Sequence, residues 1–168
     1  GIHFQARAKE TAFPVWLARL EFGIRLQKRA FSVEAVKLFV DTSVWSLALR
    51  RDRASGPHVE FLQTALLSGM EIYTTGIVYQ ELLQGFLGPK SHGAIQKHFA
   101  TLPFLVPNRE DHVNAAKLHN QCRQKGVSSG TIDMLIAGLC IHHNLTLLST
   151  DKDFEHIAKV RRFPIWKP

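Results

Sequence analysis

Little in this chain invites covalent or redox chemistry. Its 168 residues hold only two cysteines, and Cys122 and Cys140 are too far apart for a Cys-x-x-Cys pair. That excludes a disulfide framework and a cysteine-rich zinc module, and predicts a reducing compartment, the cytoplasm by default. Cys140 shares an apolar helical face with Ile136 and Ala137 and is read as core. No apolar run approaches the roughly 18 residues of a membrane span, so no membrane partner is expected. No Gly-x-Gly-x-x-Gly follows the first strand-like run, which disfavours a dinucleotide enzyme. The nine histidines show no His-Glu-x-x-His spacing. His142 and His143, adjacent on a regular helix, should point apart, so the histidines are read as surface or structural. Acids are scarce too: 14 Asp and Glu against 21 Lys and Arg give a formal charge of +7, a balance that suits a polyanionic partner.

What is present reads as one domain with an extension. Residues 1–35 hold six Lys or Arg and three Glu, and Phe13, Trp16, Leu17, Leu20 and Ile24 recur at helical spacing. This segment reads as a basic N-terminal extension, either a flexible arm or the product of a misplaced start, ahead of a domain over 36–168. Within that domain, strands are predicted at 37–41, 71–75, 104–106 and 145–149, with a further one at 163–166. Helices are predicted at 43–51, 58–68, 77–87, 91–100, 109–125 and 131–143. Short apolar strands separated by helices imply crossover connections. The expected class is α/β: a three-layer α/β/α sandwich around a central parallel sheet of four to five strands.

Four acids fall where such a sheet would gather them. Ligands of parallel α/β sheets bind outside the carboxyl ends of the strands, and both Asp41 and Asp151 follow directly on an apolar run. Either alone would pass for a helix cap. Asp133 opens the helix at 131–143, where the macrodipole favours an anion, and sits on the face of Ile136 and Ala137. Glu81 lies on or beside the stripe of Val78, Leu82, Gly85 and Phe86 rather than opposite it. Carboxylates about 4 Å apart repel by roughly 4 kcal/mol at an effective dielectric near 20, so a gathered set requires a cation or protons. Hard divalent cations prefer carboxylate oxygen, which makes Mg²⁺, with Mn²⁺ as a substitute, the expected cofactor and a nuclease the expected activity. A haloacid-dehalogenase phosphatase would need a second aspartate two places after Asp41, where Ser43 stands.

The segments around these acids carry a family resemblance. Phe39-Val40-Asp41-Thr42-Ser43-Val44-Trp45, Tyr79-Gln80-Glu81-Leu82-Leu83-Gln84-Gly85, Thr131-Ile132-Asp133-Met134-Leu135-Ile136-Ala137 and Leu148-Ser149-Thr150-Asp151-Lys152-Asp153-Phe154 resemble the four successive signature blocks of PIN-domain ribonucleases, the VapC toxins of toxin–antitoxin pairs above all. The likeness covers about 37–166. It implies a PIN-like fold and an Mg²⁺- or Mn²⁺-dependent endoribonuclease acting on RNA. It also implies a homodimer, and inhibition by a small VapB-like antitoxin whose tail enters the active-site groove and through which alone DNA is contacted. Asp41, Glu81, Asp133 and Asp151 take the catalytic and metal-binding positions, Ser43 the small polar residue beside the first aspartate, and Thr150 and Asp153 accessory ones. A departure lies at Ser128-Ser129-Gly130, ahead of Asp133, where family members vary and often carry a basic or polar residue facing RNA.

The expected reaction is metal-assisted hydrolysis of a phosphodiester, with Asp41, Asp133 and Asp151 holding one or two Mg²⁺ ions and Glu81 positioning water or completing the metal shell. Arg50, Arg51, Arg53, Lys90, Lys97, Arg161 and Arg162 are candidates for phosphate contacts, and Trp45 is read as core. The alternative is a catalytically silent module that binds RNA or antitoxin.

Overall fold

Leu38, Phe39 and Val40 are completely buried, as a strand covered on both faces must be. They form β1 (Leu38–Val40), in the interior of the sheet. The computed structural model describes residues 36–50 and 55–168; the basic segment 1–35, and with it the expected extension, lies outside the described residues, as do Arg51 and Arg53. After β1 come α1 (Thr42–Leu49), α2 (Pro57–Leu67), β2 (Ile72–Thr75), α3 (Gly76–Gly85), α4 (Pro89–Phe99), β3 (Phe104–Leu105), α5 (Arg109–Gln124), α6 (Thr131–His142), β4 (Thr146–Leu148) and α7 (Asp153–Val160). The four strands are all parallel, in the order β3-β2-β1-β4, and among the described residues seven helices flank them. This is the expected three-layer α/β class.

The register fixes the business end of the sheet. Leu38 pairs with Ile72 on one side and Thr146 on the other, and Val40 pairs with Leu148. One residue further, the Asp41 N–H still donates to the Leu148 carbonyl at 3.0 Å, so the ladder ends on the residue that leaves the sheet as an acid.

Two expected strands are shorter than their apolar runs. Residues 163–166 contribute a single parallel bridge, Leu147 to Ile165, instead of a fifth strand. Pro164 has no N–H with which to extend a ladder, and Trp166 turns to stack on Phe61 with ring centroids 4.5 Å apart. β3 stops at Leu105. It is the sheet edge, followed closely by Pro107, and its Phe104 is 48% exposed.

Helices α5 and α6 pack closely, with Gly138 against Ala115: a methyl at Gly138 would lie 3.7 Å from the Ala115 Cβ. α6 stops where Asn144 takes a left-handed φ of 52° and the Leu145 N–H returns to the Cys140 carbonyl at 2.9 Å, a Schellman closure. α5 starts in a capping box in which Asn108 accepts from the Asp111 N–H while Asp111 accepts from the Asn108 N–H at 2.8 Å. The second Asp111 oxygen meets His142 Nδ1 at 2.7 Å, tying the start of α5 to the end of α6. Burial by itself would raise the Asp111 carboxyl; the Asn108 N–H and the His142 ring outweigh it and hold the carboxyl below its ordinary value.

A carboxyl depressed in the folded state adds stability that is fully present above its unfolded pKa and is lost as pH falls through the folded value. Asp111→Ala should therefore destabilise the protein at pH 7 by about 1–3 kcal/mol, the scale of losing hydrogen bonds to a buried charged acceptor together with the α5 capping box. The gap from wild type should narrow below about pH 4. Urea unfolding at pH 7 and pH 3 measures this, and a gap independent of pH would contradict it.

Candidate active site

The strand order contains a reversal. From β1 the chain builds outward through β2 to β3, then crosses back to set β4 on the other side of β1. Connections leaving neighbouring strands in opposite directions open a crevice at the carboxyl edge, and here that point lies between β1 and β4. Asp41 ends β1 and Asp151 follows β4, while α3 brings in Glu81 and the first turn of α6 brings in Asp133. A cleft of about 480 Å³ is lined by Asp41, Thr42, Ser43, Glu81, Gly130, Thr131, Ile132, Asp133 and Asp151. All four acids singled out in the sequence thus meet in one depression.

Each carboxylate is held by one oxygen. Asp41, 8% exposed, uses Oδ2 to accept from Ser43 Oγ at 2.7 Å, Ser149 Oγ at 2.9 Å and the Ser43 N–H at 3.3 Å. The last of these caps α1, so capping and site-building are done by the same atom. Glu81 Oε2 accepts from the Thr42 hydroxyl. Asp133 Oδ2 accepts from Ser129 Oγ at 2.8 Å and the Gly130 N–H at 3.0 Å. Asp151 Oδ1 accepts from the Asp153 N–H at 2.9 Å.

The second oxygen of each acid, Asp41 Oδ1, Glu81 Oε1, Asp133 Oδ1 and Asp151 Oδ2, has no protein donor among the described residues. No Lys or Arg is among the residues lining the cleft. Four carboxylates with unclaimed oxygens and no basic residue in the described lining form a donor set that fits a hard divalent cation. They do not gather as tightly as the one trio of potential ligand side chains found within 4.8 Å of one another among the described residues, which lies elsewhere, at Asp111, His142 and His143. An ion in the wider cleft would complete its shell with water, which suits Mg²⁺.

Of the accessory residues, Ser43 acts through its hydroxyl, Thr150 and Asp153 through their backbone N–H groups. Ser43 Oγ, besides donating to Asp41, accepts from the Thr150 N–H at 3.1 Å. Thr150 itself is exposed and does not line the cleft, and Asp153 contributes its N–H to Asp151 and does not line it either. Three supporting residues escaped the sequence reading. Ser149, at the end of an apolar run, is buried against Asp41 and accepts from the Asp151 N–H at 3.0 Å; a hydroxyl one step past the partner of Val40 was the available signal. Thr42 and Ser129, which hold Glu81 and Asp133, had no signal beyond lying near an acid.

Gly130 is also fitted to its place. A methyl there would come within 3.1 Å of Asp133 Oδ2, so a side chain would press on the carboxylate. Of the basic candidates, Arg50, Lys90, Lys97, Arg161 and Arg162 are exposed and off the cleft lining. Trp45 is core, its ring 4.9 Å from that of Phe99. Cys140 is fully buried, and burial, then the charge of Asp41, pushes its thiol far above the ordinary range, leaving it inert as a nucleophile.

The sequence profile of the PIN domain matches residues 38–160. Over 127 residues the chain is 30% identical to a VapC ribonuclease of Mycobacterium bovis and to ribonuclease VapC11 of Mycobacterium tuberculosis, covering 73% of this chain and 92% of each relative. Among solved structures, VapBC-1 from nontypeable Haemophilus influenzae superposes with a TM-score of 0.63 at 21% identity, over 79% of this chain and 98% of that one. VapBC2 from Rickettsia felis, bound to a DNA fragment from its promoter, gives 0.60 at 19%, over 79% and 100%. At those identities the structural likeness bears on the fold.

Four like charges with no Lys or Arg in the described lining should strain the cleft. Asp151→Asn removes one charge and keeps the Oδ1 acceptor, so in EDTA it should raise stability by about 0.5 kcal/mol, the scale of an exposed charge pair. Thermal melts of the two proteins test this; an unchanged or lower melting temperature would mean the carboxylates do not oppose one another.

Proposed function

This chain belongs to the PIN-domain family, in its VapC branch, and we propose that it is a divalent-metal-dependent endoribonuclease, the toxin of a VapBC-type toxin–antitoxin pair. The observation that carries this reading is the meeting of Asp41, Glu81, Asp133 and Asp151 in one cleft, each with an oxygen left over. Asp41, Asp133 and Asp151 would hold Mg²⁺ or Mn²⁺, with Glu81 completing the shell or positioning water. When bound, the ion supplies polarisation of the scissile phosphate and a water acidified toward hydroxide. Within the protein, Ser43 and Ser149 keep Asp41 oriented, Thr42 keeps Glu81, and Ser129 with the Gly130 N–H keeps Asp133. No protein nucleophile takes part; the phosphorus–oxygen bond is exchanged for one to water.

RNA is the proposed substrate. The excess of basic residues supports it, and Arg50, Arg161 and Arg162, exposed outside the cleft, are assigned backbone phosphate contacts that position a strand without reading its sequence. A small VapB-like antitoxin is the proposed inhibitor, occupying the acidic cleft and providing the only route to DNA. The VapBC assemblies that share this fold support the pairing. A second copy of the chain is the other proposed partner, and exposed Leu87 and Val106 supply apolar surface for such contacts. Among the described residues no helix is long and apolar enough to cross a membrane, and the cytoplasm is the proposed location.

Asp41→Asn tests the core of the proposal, because the amide keeps an acceptor for Ser43 and Ser149 while removing the charge. RNA cleavage with Mg²⁺ or Mn²⁺ should fall at least about 100-fold, as when a transition-state-stabilising group is lost, with circular dichroism unchanged. EDTA should abolish wild-type cleavage and Mn²⁺ should restore it. Undiminished cleavage by Asp41→Asn overturns the assignment. RNA binding without cleavage under any metal would indicate a silent module, and hydrolysis of p-nitrophenyl phosphate alone a phosphatase.

A further inference from the structure

We propose that Asp111, His142 and His143 form a second metal site, separate from the acidic cleft, that takes a transition-metal cation of the zinc type. On a regular helix neighbouring histidines diverge, so their spacing in the sequence points to no shared ligand. His142 is, however, the last residue of α6 and His143 its cap, where the regular rotation is no longer imposed. The two rings lie side by side with centroids 4.6 Å apart, and one ligand atom from each of the three side chains falls within 4.8 Å of the others.

The chemistry of this trio differs from that of the cleft. Two imidazoles and one carboxylate suit zinc, nickel or copper, whereas an all-oxygen set suits magnesium or manganese. Ligand atoms around tetrahedral zinc stand roughly 3.3 Å apart, given bonds of about 2.0–2.2 Å. The 2.7 Å contact between His142 Nδ1 and Asp111 Oδ1 must open slightly and the wider separations close, which side-chain rotations achieve.

Asp111 is a fixed anchor: it is buried, and its other oxygen is held by the Asn108 N–H at 2.8 Å, the kind of outer partner that orients metal-binding carboxylates. The His142 side chain is 45% exposed, so a cation can enter from solvent and keep a water as fourth ligand. The carboxyl end of α6 adds the negative pole of the helix dipole. Asp133 lies nine residues back along α6, about 14 Å at 1.5 Å per residue, so the two sites do not share ligands. A cation here clamps the end of α6 to the start of α5 without entering the chemistry at the other end.

The test is calorimetric titration of the full chain with Zn²⁺ in excess Mg²⁺, which competes for the all-oxygen cleft. One equivalent should bind to wild type and to Asp41→Asn alike. His143→Ala, which removes a ring with no hydrogen-bond partner among the described residues and leaves the His142–Asp111 contact in place, should bind at least about tenfold more weakly. The His142→Ala/His143→Ala double variant should bind none, and the rise in melting temperature that Zn²⁺ gives wild type should disappear with it. Absence of a saturable equivalent in wild type overturns the proposal. So does unchanged affinity in His143→Ala, which would leave only a hydrogen-bonded His–Asp pair, and so does loss of binding in Asp41→Asn, which would put the zinc in the cleft.

Discussion

A single carboxylate oxygen, Asp41 Oδ2, joins the two strands on which the site is built. It accepts from two hydroxyls, and each hydroxyl accepts in turn from the segment after β4: Ser43 Oγ from the Thr150 N–H, Ser149 Oγ from the Asp151 N–H. The end of β1, the start of α1 and the turn into α7 are thereby fixed to one buried atom. A charge this deeply buried is tolerated only when its acceptor capacity is met, and here half of it is. The other oxygen has no protein donor among the described residues, on a side chain that lines the cleft.

The same division of labour recurs in Glu81, Asp133 and Asp151, each tethered through one oxygen. Asp111 differs in that both of its oxygens meet protein partners, the Asn108 N–H and the His142 ring. That contrast separates the two buried aspartates of this fold more sharply than burial does, since both are nearly inaccessible. The tethers restrict rotamers in advance, so that little conformational freedom would remain to be lost when a ligand arrives. What remains uncompensated is charge, the usual trade of stability against function at a preorganised site.

Much of the architecture was legible because its signals are local. Leu38–Val40 reads as a buried parallel strand from three apolar residues and the acid that ends them. Glu81 was marked by its place beside Val78 and Leu82, and it is half-buried at the cleft as that place implies. The failures have equally specific causes. Apolar residues at 163–166 read as a strand, but Pro164 and the stacking of Trp166 on Phe61 reduce them to one bridge. His142 and His143 read as divergent because helical geometry was extended one residue too far, into the cap of α6.

By itself the sequence determined which residues are apolar at strand and helix spacing, where acids follow strands, and hence the α/β class and the four candidate acids. Those features depend on neighbours a few positions apart, and periodicity records them. Only the tertiary structure decided that β4 returns beside β1, since strand order is a matter of long-range packing with no local signature. From that placement follow the cleft at the β1–β4 reversal, the pairing of Ser149 with Asp41 across 108 residues, and the meeting of Asp111 with His142 across 31. Contacts between such distant positions form only when buried surfaces bring their elements together, so no spacing along the chain could have announced them.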